Sequence, residues 1–367
     1  MRIAYDYQTF FLQRYGGISR YFFCLAQGLN ELQQQVKIFA PLHRNGYISS
    51  LPSEMIEGRR IITHLPKTTK LITAYNYLAS QKKIASWKPD VVHETYYSRF
   101  GLAPKNCPTV ITVHDMIHEL FREDFSANDN TMSLKKKAID RADHIICVSE
   151  NTKQDLMRLN GTLASKITVV HHGFDKFSDN NIHSFTIPID GRPFLLYVGG
   201  RGGYKNFSGF LKAFASSKRL LRDFDIVAFG GGAFSVAESE LIREMGFAAH
   251  QVRQVSGDDM LLGCYYSAAR AFVYPSLYEG FGIPPLEAMA HNCPVISSNS
   301  SSIPEVIGNA AQYFSPKSLE EIKLAIELVV YSDSQADYLR KLGQDRLAYF
   351  SWEKCVRQTL DIYRSLS

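Results

Sequence analysis

The chain runs to 367 residues, 45% apolar and 21% charged, with a formal charge of +5. That is the make-up of a globular protein with room for about two domains, and it excludes disordered, collagenous and coiled-coil chains. No run reaches the roughly 18 uncharged apolar residues that a membrane-spanning helix needs, and the charge is uneven: residues 1–172 hold 22 Lys+Arg against 15 Asp+Glu, while the remainder is slightly acidic.

The first residues, Met1-Arg2-Ile3-Ala4-Tyr5, read as a short strand without the apolar core of a leader, so the expectation is a cytoplasmic protein. Short β-branched runs recur at Arg2–Tyr5, Val36–Ala40, Val91–His93, Val110–His114 and Ile145–Val148. Such continuous apolar runs suit strands buried on both faces of a parallel sheet. Ile18, Phe22, Leu25, Leu29 and Leu32 recur at helical spacing and predict a crossover helix over 18–35. Helices are also predicted over 131–142 and 150–159, the second capped by Ser149 or Asn151. The pattern loosens between Val169 and Pro193, where the polar stretch Ser178–Ser184 reads as a linker.

Alternation then restarts. Strands are predicted at Phe194–Val198, Ile226–Phe229, Ala271–Tyr274 and Pro294–Ser297. Helices are predicted at Phe207–Leu221, Val236–Met245, 283–291, 318–331, 335–349 and 352–366. Two runs of alternating strand and helix imply two doubly wound α/β domains. Ligands of such sheets sit beyond the carboxyl ends of the strands, so the default site is a cleft where two such ends face each other.

Several features read as structural. The six cysteines are scattered without a CxxC, as reduced, buried thiols would be. Asp223-Phe-Asp225 has the spacing of a metal-binding D-x-D, but it precedes its strand and lies at the wrong end for a site. Lys135-Lys136-Lys137 reads as a solvated helix face, and no nucleic-acid motif accompanies it.

The stretch Tyr274-Pro-Ser-Leu-Tyr-Glu279-Gly280-Phe281-Gly282-Ile283-Pro-Pro-Leu-Glu287 carries the most chemistry. A strand ends at Tyr274, a glycine loop follows, and a helix opens near Ile283 with proline in its first turn. The free N–H groups around Phe281, Gly282 and Ile283 would serve a phosphate or a sugar hydroxyl. Gly16 and Gly17, after the first strand, permit close backbone approach to a ligand. Lys205 and Arg201 follow a strand end, where cations would stabilise a leaving phosphate. His114 ends an apolar strand, with Asp115 and His118 nearby.

The pair Glu279 and Glu287 with its Gly-Phe-Gly-Ile-Pro-Pro-Leu-Glu-Ala-Met surroundings resembles the E-x7-E signature of retaining GT-B glycosyltransferases, specifically glycosyltransferase family 4. Further similarity lies in Leu196-Tyr-Val-Gly199, Gly200, Lys205-Asn206, Ala228–Gly232, Val255-Ser-Gly257, Ser302-Ile-Pro-Glu-Val306 and Ser351-Trp-Glu353. In the first half it lies in Gly16-Gly17-Ile-Ser-Arg-Tyr, His114-Asp115 and Val148–Lys153.

The resemblance implies a GT-B fold, two Rossmann-like domains facing across a cleft. The N-terminal domain, 1–172, would bind the acceptor and the C-terminal domain, 173–350, the nucleotide sugar. A last helix, 351–367, would return to the N-terminal domain. It further implies catalytic roles for His114, Glu279, Lys205 and Arg201, and donor-binding roles for Gly16, Gly17, Gly200, Val255, Gly280, Phe281, Gly282, Ile283 and Glu287. His114 would meet the transferred sugar, Glu279 its hydroxyls, Glu287 the ribose and Lys205 the diphosphate. Relatives carry arginine immediately before that lysine, but here Tyr204 stands there, leaving Arg201 as the candidate replacement.

Transfer would proceed with retention, without a metal or other cofactor. The glycine-rich start of each half looks most similar to bacterial mannosyltransferases of lipopolysaccharide O-antigen assembly. That similarity implies GDP-mannose as donor and a polyprenyl-diphosphate-linked glycan as acceptor, with the basic half peripheral on the inner face of the plasma membrane. UDP- or dTDP-sugar donors, and a nucleotide-sugar epimerase of the same fold, stay open, as does a binding protein without turnover.

Overall fold

A computed structural model describes residues 1–61, 68–176 and 192–367. The chain divides into two compact units, one of Met1–Gly173 with Ser351–Ser367, the other of Phe174–Phe350.

The first unit holds the parallel strands β1 (Arg2–Tyr5) and β2 (Gln35–Ile38), and a two-stranded ribbon, β3 (Leu42–His43) and β4 (Arg59–Arg60). Its main sheet continues with β5 (Val91–Glu94), β6 (Thr109–Val113), β7 (His144–Cys147) and β8 (Ile167–Val169). The order is β2-β1-β5-β6-β7-β8. Residues of β5 and β6 are buried along their whole length, which is why neither alternates apolar with solvated polar residues and why the polar His93, Glu94 and Thr112 within them each have a partner. The terminal helix Trp352–Leu366 packs its apolar face on this unit through Cys355, Val356, Leu360 and Tyr363. There the buried Tyr363 hydroxyl meets His93 Nδ1, whose Nε2 meets Thr112 Oγ1 at 2.9 Å. Burial pushes the His93 imidazole down to about 3, so it is neutral in this network.

The second unit repeats the plan with β9 (Phe194–Val198), β10 (Asp225–Phe229), β11 (Val252–Val255), β12 (Ala271–Tyr274), β13 (Val295–Ser298) and β14 (Ala311–Phe314). They run parallel in the order β11-β10-β9-β12-β13-β14. Each sheet thus reverses its strand order beside its first strand, the switch point at which α/β sheets hold ligands.

Four expectations are corrected. The helix predicted over Phe207–Leu221 is two helices, Phe207–Ala215 and Lys218–Asp223. The break falls where the Ser217 hydroxyl accepts the Leu220 N–H as a new cap. A short helix, Gln8–Leu12, separates β1 from Gly16 and Gly17. An unpredicted helix, Thr69–Trp87, occupies the first unit. Lys135 is not on a solvated face: it is 1% exposed, donates to Glu119 Oε2 at 2.8 Å and to the Asp115 carbonyl at 2.9 Å, and lies over the Tyr97 ring. The predicted polar linker Ser178–Ser184 lies outside the described residues. Ser149, as expected, caps its helix by accepting the Thr152 N–H. Among the described residues no helix is long and apolar enough to cross a membrane.

Candidate functional site

In the second unit the ends of β9, β10 and β12 release three loops on one edge of the sheet. After β9, a tight turn, Gly203–Lys205, carries the lysine. Asn206 pins that turn, its amide donating to the carbonyls of Pro275 (3.1 Å) and Pro316 (2.9 Å). The Leu277 N–H donates to the Tyr204 carbonyl at 2.7 Å. The turn is therefore bonded to the loop after β12, and Lys205 Nζ reaches both oxygens of Glu279, at 2.8 and 3.0 Å. Two of the three charges predicted for catalysis, Lys205 and Glu279, are an ion pair here.

Glu279 is buried and held from several sides. Ser276 Oγ donates to its carboxylate at 2.6 Å, its own N–H donates to Ser301 Oγ at 2.8 Å, and Ser302 Oγ donates to its carbonyl at 2.8 Å. Ser302 also reaches the Phe281 carbonyl, and Ser298 Oγ donates to the Ser276 carbonyl at 2.6 Å. Sequence reasoning missed these serines. Their signal was the run Ser297-Ser-Asn-Ser-Ser-Ser302, too polar for a core yet buried here at positions 297, 298 and 302, a combination that requires partners for each hydroxyl.

Gly280 leads into Phe281, which is buried edge-on against Phe350, and then into Gly282. Gly282 has φ +102° and ψ 73° and caps the helix Ile283–Ala290, which opens with two prolines. Only glycine takes that φ without strain. Gly282→Ala is expected to cost about 1–3 kcal/mol of stability, which thermal melting checks. Glu287 follows within the same helix, also buried, with the Tyr266 hydroxyl donating to it at 3.4 Å.

Arg201 is not at the lysine. Its side chain is 4% exposed: Nε donates to Glu238 at 2.7 Å, and its terminal nitrogens to the carbonyls of Gly230, Gly232 and Ala233, each at 3.0 Å. The guanidinium braces the loop after β10, where Gly230, Gly231 and Gly232 all have positive φ. A Cβ on Gly231 would stand 2.6 Å from Arg201 Nη1. The expected replacement for the missing arginine is thus engaged in shaping a glycine loop, because Glu238 and three carbonyls face it. The Tyr197 hydroxyl donates to the Gly200 carbonyl beside it. Val255 ends β11 and lines a cavity of about 390 Å³ with Val227, Phe234, Val252, Arg253 and Tyr265. Asp225, from the D-x-D spacing, sits at the opposite end of its strand between Arg192 and Arg253, each 3.2 Å away.

In the first unit, Gly16 is extended and Gly17 begins the helix Gly17–Glu31. Gln13 Oε1 accepts the Ser19 N–H at 3.0 Å, and a Cβ on Gly16 would come within 2.5 Å of that oxygen, whereas Gly17 faces open space. His114 directly follows β6. Its ring lies edge-on to Tyr21 at 5.2 Å and stacks near His172 at 5.7 Å, and among the described residues its buried Nε2 has no partner. Burial pushes its imidazole down to about 4, so near neutral pH it is an uncharged ring with one nitrogen to offer a hydroxyl. Asp115 turns away to accept the Ile117 N–H, and His118 stacks on Phe125. Among the described residues no cluster of His, Cys, Asp or Glu suits a metal ion.

Comparison with known proteins agrees in both halves. The profile of "Glycosyltransferase Family 4" matches residues 15–176 and that of "Glycosyl transferases group 1" matches residues 179–346. The chain is 27% identical to the "O-antigen chain mannosyltransferase B" of Escherichia coli, over 95% of this chain and 96% of that protein. It is also 27% identical to the "O-antigen chain mannosyltransferase RfbU" of Salmonella typhimurium, over 85% and 86%. Its fold matches the sucrose-phosphate synthase of Thermosynechococcus elongatus, with a TM-score of 0.77 at 20% identity over 100% of this chain and 98% of that one. It also matches WaaG, a glycosyltransferase of lipopolysaccharide biosynthesis, with a TM-score of 0.73 at 16% identity over 99% of both chains.

Proposed function

This chain belongs to glycosyltransferase family 4 and has the GT-B fold, and on that premise we propose that it transfers mannose from GDP-mannose to a lipid-linked glycan, with retention at the anomeric carbon and without a metal. Its relatives over nearly the whole chain are O-antigen mannosyltransferases, which favours mannose and a polyprenyl-diphosphate-linked acceptor. The observation that carries the reading is the Lys205–Glu279 pair, fixed by bonded loops beside the helix that opens at Ile283.

In this reading the donor diphosphate lies on the N–H groups at Gly282 and Ile283 and displaces Lys205 from Glu279. The ammonium then stabilises the negative charge as the bond from C1 to the diphosphate breaks. Glu279 is released to accept hydrogen bonds from the sugar, and Glu287 accepts those of the ribose. Val255 and the cavity beside it take the base. The first unit supplies His114, neutral, to a sugar hydroxyl, and binds the acceptor, whose hydroxyl attacks C1 on the face the diphosphate leaves and passes its proton to a departing phosphate oxygen. No covalent sugar–protein bond forms, so a glycosyl group trapped on Glu279 would refute this route.

Calorimetric titration with GDP, UDP, dTDP and ADP, with and without EDTA, tests the donor. Micromolar binding of GDP alone, unchanged by EDTA, is the expected result. Selective UDP binding would retain the enzyme class and overturn mannose. Binding of none would overturn the reading of the site.

A further inference from the structure

The helix Thr69–Trp87 carries apolar side chains on its outer face as well as its inner one. Its inward face mixes polar and apolar groups, burying Asn76, Ser80 and Ile84 with Ile72, Tyr77 and Trp87 packed beside them: Asn76 Oδ1 accepts the Leu42 N–H and its Nδ2 donates to the Leu42 carbonyl, both at 2.9 Å, while Ser80 Oγ donates to the Phe39 carbonyl at 2.9 Å. Outward it turns Leu71, Tyr75 and Leu78, which are 73%, 54% and 64% exposed. Steps of four and three residues place these side chains in one stripe, and the next step of four brings Lys82 into line. Large apolar groups in a row on a solvated helix mark an interaction surface rather than scattered exposure.

Charge decides what the surface meets. The helix has three lysines and no acidic residue; Lys83 pairs with Glu57 at 2.6 Å, and the charge offered along the stripe is that of Lys70 and Lys82. The ribbon strand Arg59–Arg60, exposed, pairs with Leu42, the residue that Asn76 holds. A second apolar stripe offers the contrast. The helix Leu319–Val330 exposes Leu324 and Leu328 at 53% and 50%, but among Glu320, Glu321 and Glu327. Leucines framed by lysines suit a negatively charged lipid surface, and leucines framed by glutamates do not.

We propose that the helix Thr69–Trp87 docks this protein on anionic membrane, Leu71, Tyr75 and Leu78 entering the headgroup boundary while Lys70, Lys82 and Arg59–Arg60 meet lipid phosphates. The inference extends the reading of a lipid-linked acceptor and rests on it, but vesicle binding and nucleotide binding are read separately, so either can fail alone.

The test is sedimentation of the full chain with phosphatidylcholine vesicles, with and without about 30% phosphatidylglycerol, at about 0.1 and 0.5 M salt. Wild type is expected to bind the anionic vesicles, more weakly at high salt. Leu71→Ser with Leu78→Ser should lower that binding at least tenfold, with GDP titration and thermal melting unchanged. Leu324→Ser with Leu328→Ser should bind as wild type. Absence of wild-type binding, equal binding to uncharged vesicles, or an undiminished variant would each overturn the proposal. So would a concentration-dependent dimer in size-exclusion chromatography that Leu71→Ser with Leu78→Ser abolishes, which would assign the stripe to a second copy of the chain.

Discussion

Lys205→Met is expected to lower kcat about 10²–10³-fold, the range found when a single preorganised charge-stabilising donor is removed, with a smaller rise in the KM for the donor. Lys205 carries two roles that one substitution does not separate: it neutralises Glu279 in the free protein, at 2.8 and 3.0 Å, and it is assigned to the leaving diphosphate. Glu279→Gln provides the separation. If the lysine served only to balance the carboxylate, adding Glu279→Gln to Lys205→Met would restore turnover to the level of Glu279→Gln alone. If the cation stabilises charge that develops on the phosphate, the double variant stays as slow as Lys205→Met. Measuring kcat and KM for all three variants, with product inhibition by GDP, decides between them, because loss of the cation should also weaken the complex with the departed nucleoside diphosphate. A Lys205→Met enzyme within threefold of wild-type kcat would remove the lysine from the chemistry. Arg201 offers no substitute, since its nitrogens are already bonded to Glu238 and the glycine loop.

Strands buried on both faces were readable because burial selects mostly apolar residues: Arg2–Tyr5, Phe194–Val198 and Ala271–Tyr274 have the predicted bounds. The edge strand Val252–Val255 was not readable, because no residue in it is fully buried and it carries arginine and glutamine. The helix Thr69–Trp87 escaped for a related reason. Periodicity finds helices by one apolar face, and this one mixes Asn76 and Ser80 with Ile84 inward while Leu71, Tyr75 and Leu78 face outward, which blurs the pattern. At the site, the strand-end and helix-start positions of Lys205, Glu279 and the glycine at 282 were legible in spacing and residue type, while the roles expected of them came from the family resemblance. The serines that fix Glu279 were not, since a hydroxyl shows its partner only in three dimensions. Arg201 shows the same limit from the other side: proximity along the chain suggested phosphate, but the closer carbonyls and Glu238 claim its donors. Lys135, within a triplet of lysines, is buried because Glu119 and the Asp115 carbonyl wait for its ammonium, and nothing in the triplet distinguishes it from Lys136.

Arg141→Met should destabilise the first unit by about 3–5 kcal/mol at pH 8, the cost of leaving a buried charge without its partner. Glu94 closes β5 with no side-chain exposure. Arg141 Nε lies 3.1 and 3.2 Å from its two oxygens, Nη2 donates to one of them, and the guanidinium also donates to the Ser98 carbonyl and hydroxyl at 2.7 and 2.9 Å. Burial pushes the Glu94 carboxyl up to about 7, with Arg141 pulling against it. Without the guanidinium the upward push of burial is opposed only by the backbone N–H of Leu102, so the folded variant holds a proton on Glu94 at neutral pH. A carboxyl whose pKa is higher folded than unfolded makes the native state bind the extra proton, and stability then falls as pH rises from the unfolded value, about 4.3, through the folded one. The deficit should therefore be small near pH 5 and grow as pH rises past 7. Adding Glu94→Gln should recover most of it at pH 8 and little at pH 5. Both tryptophans, Trp87 and Trp352, belong to the first unit, so their fluorescence in a urea titration reports this transition without signal from the second. A deficit equal at pH 5 and pH 8 would mean that Glu94 stays ionised without Arg141, and that burial does not govern its charge.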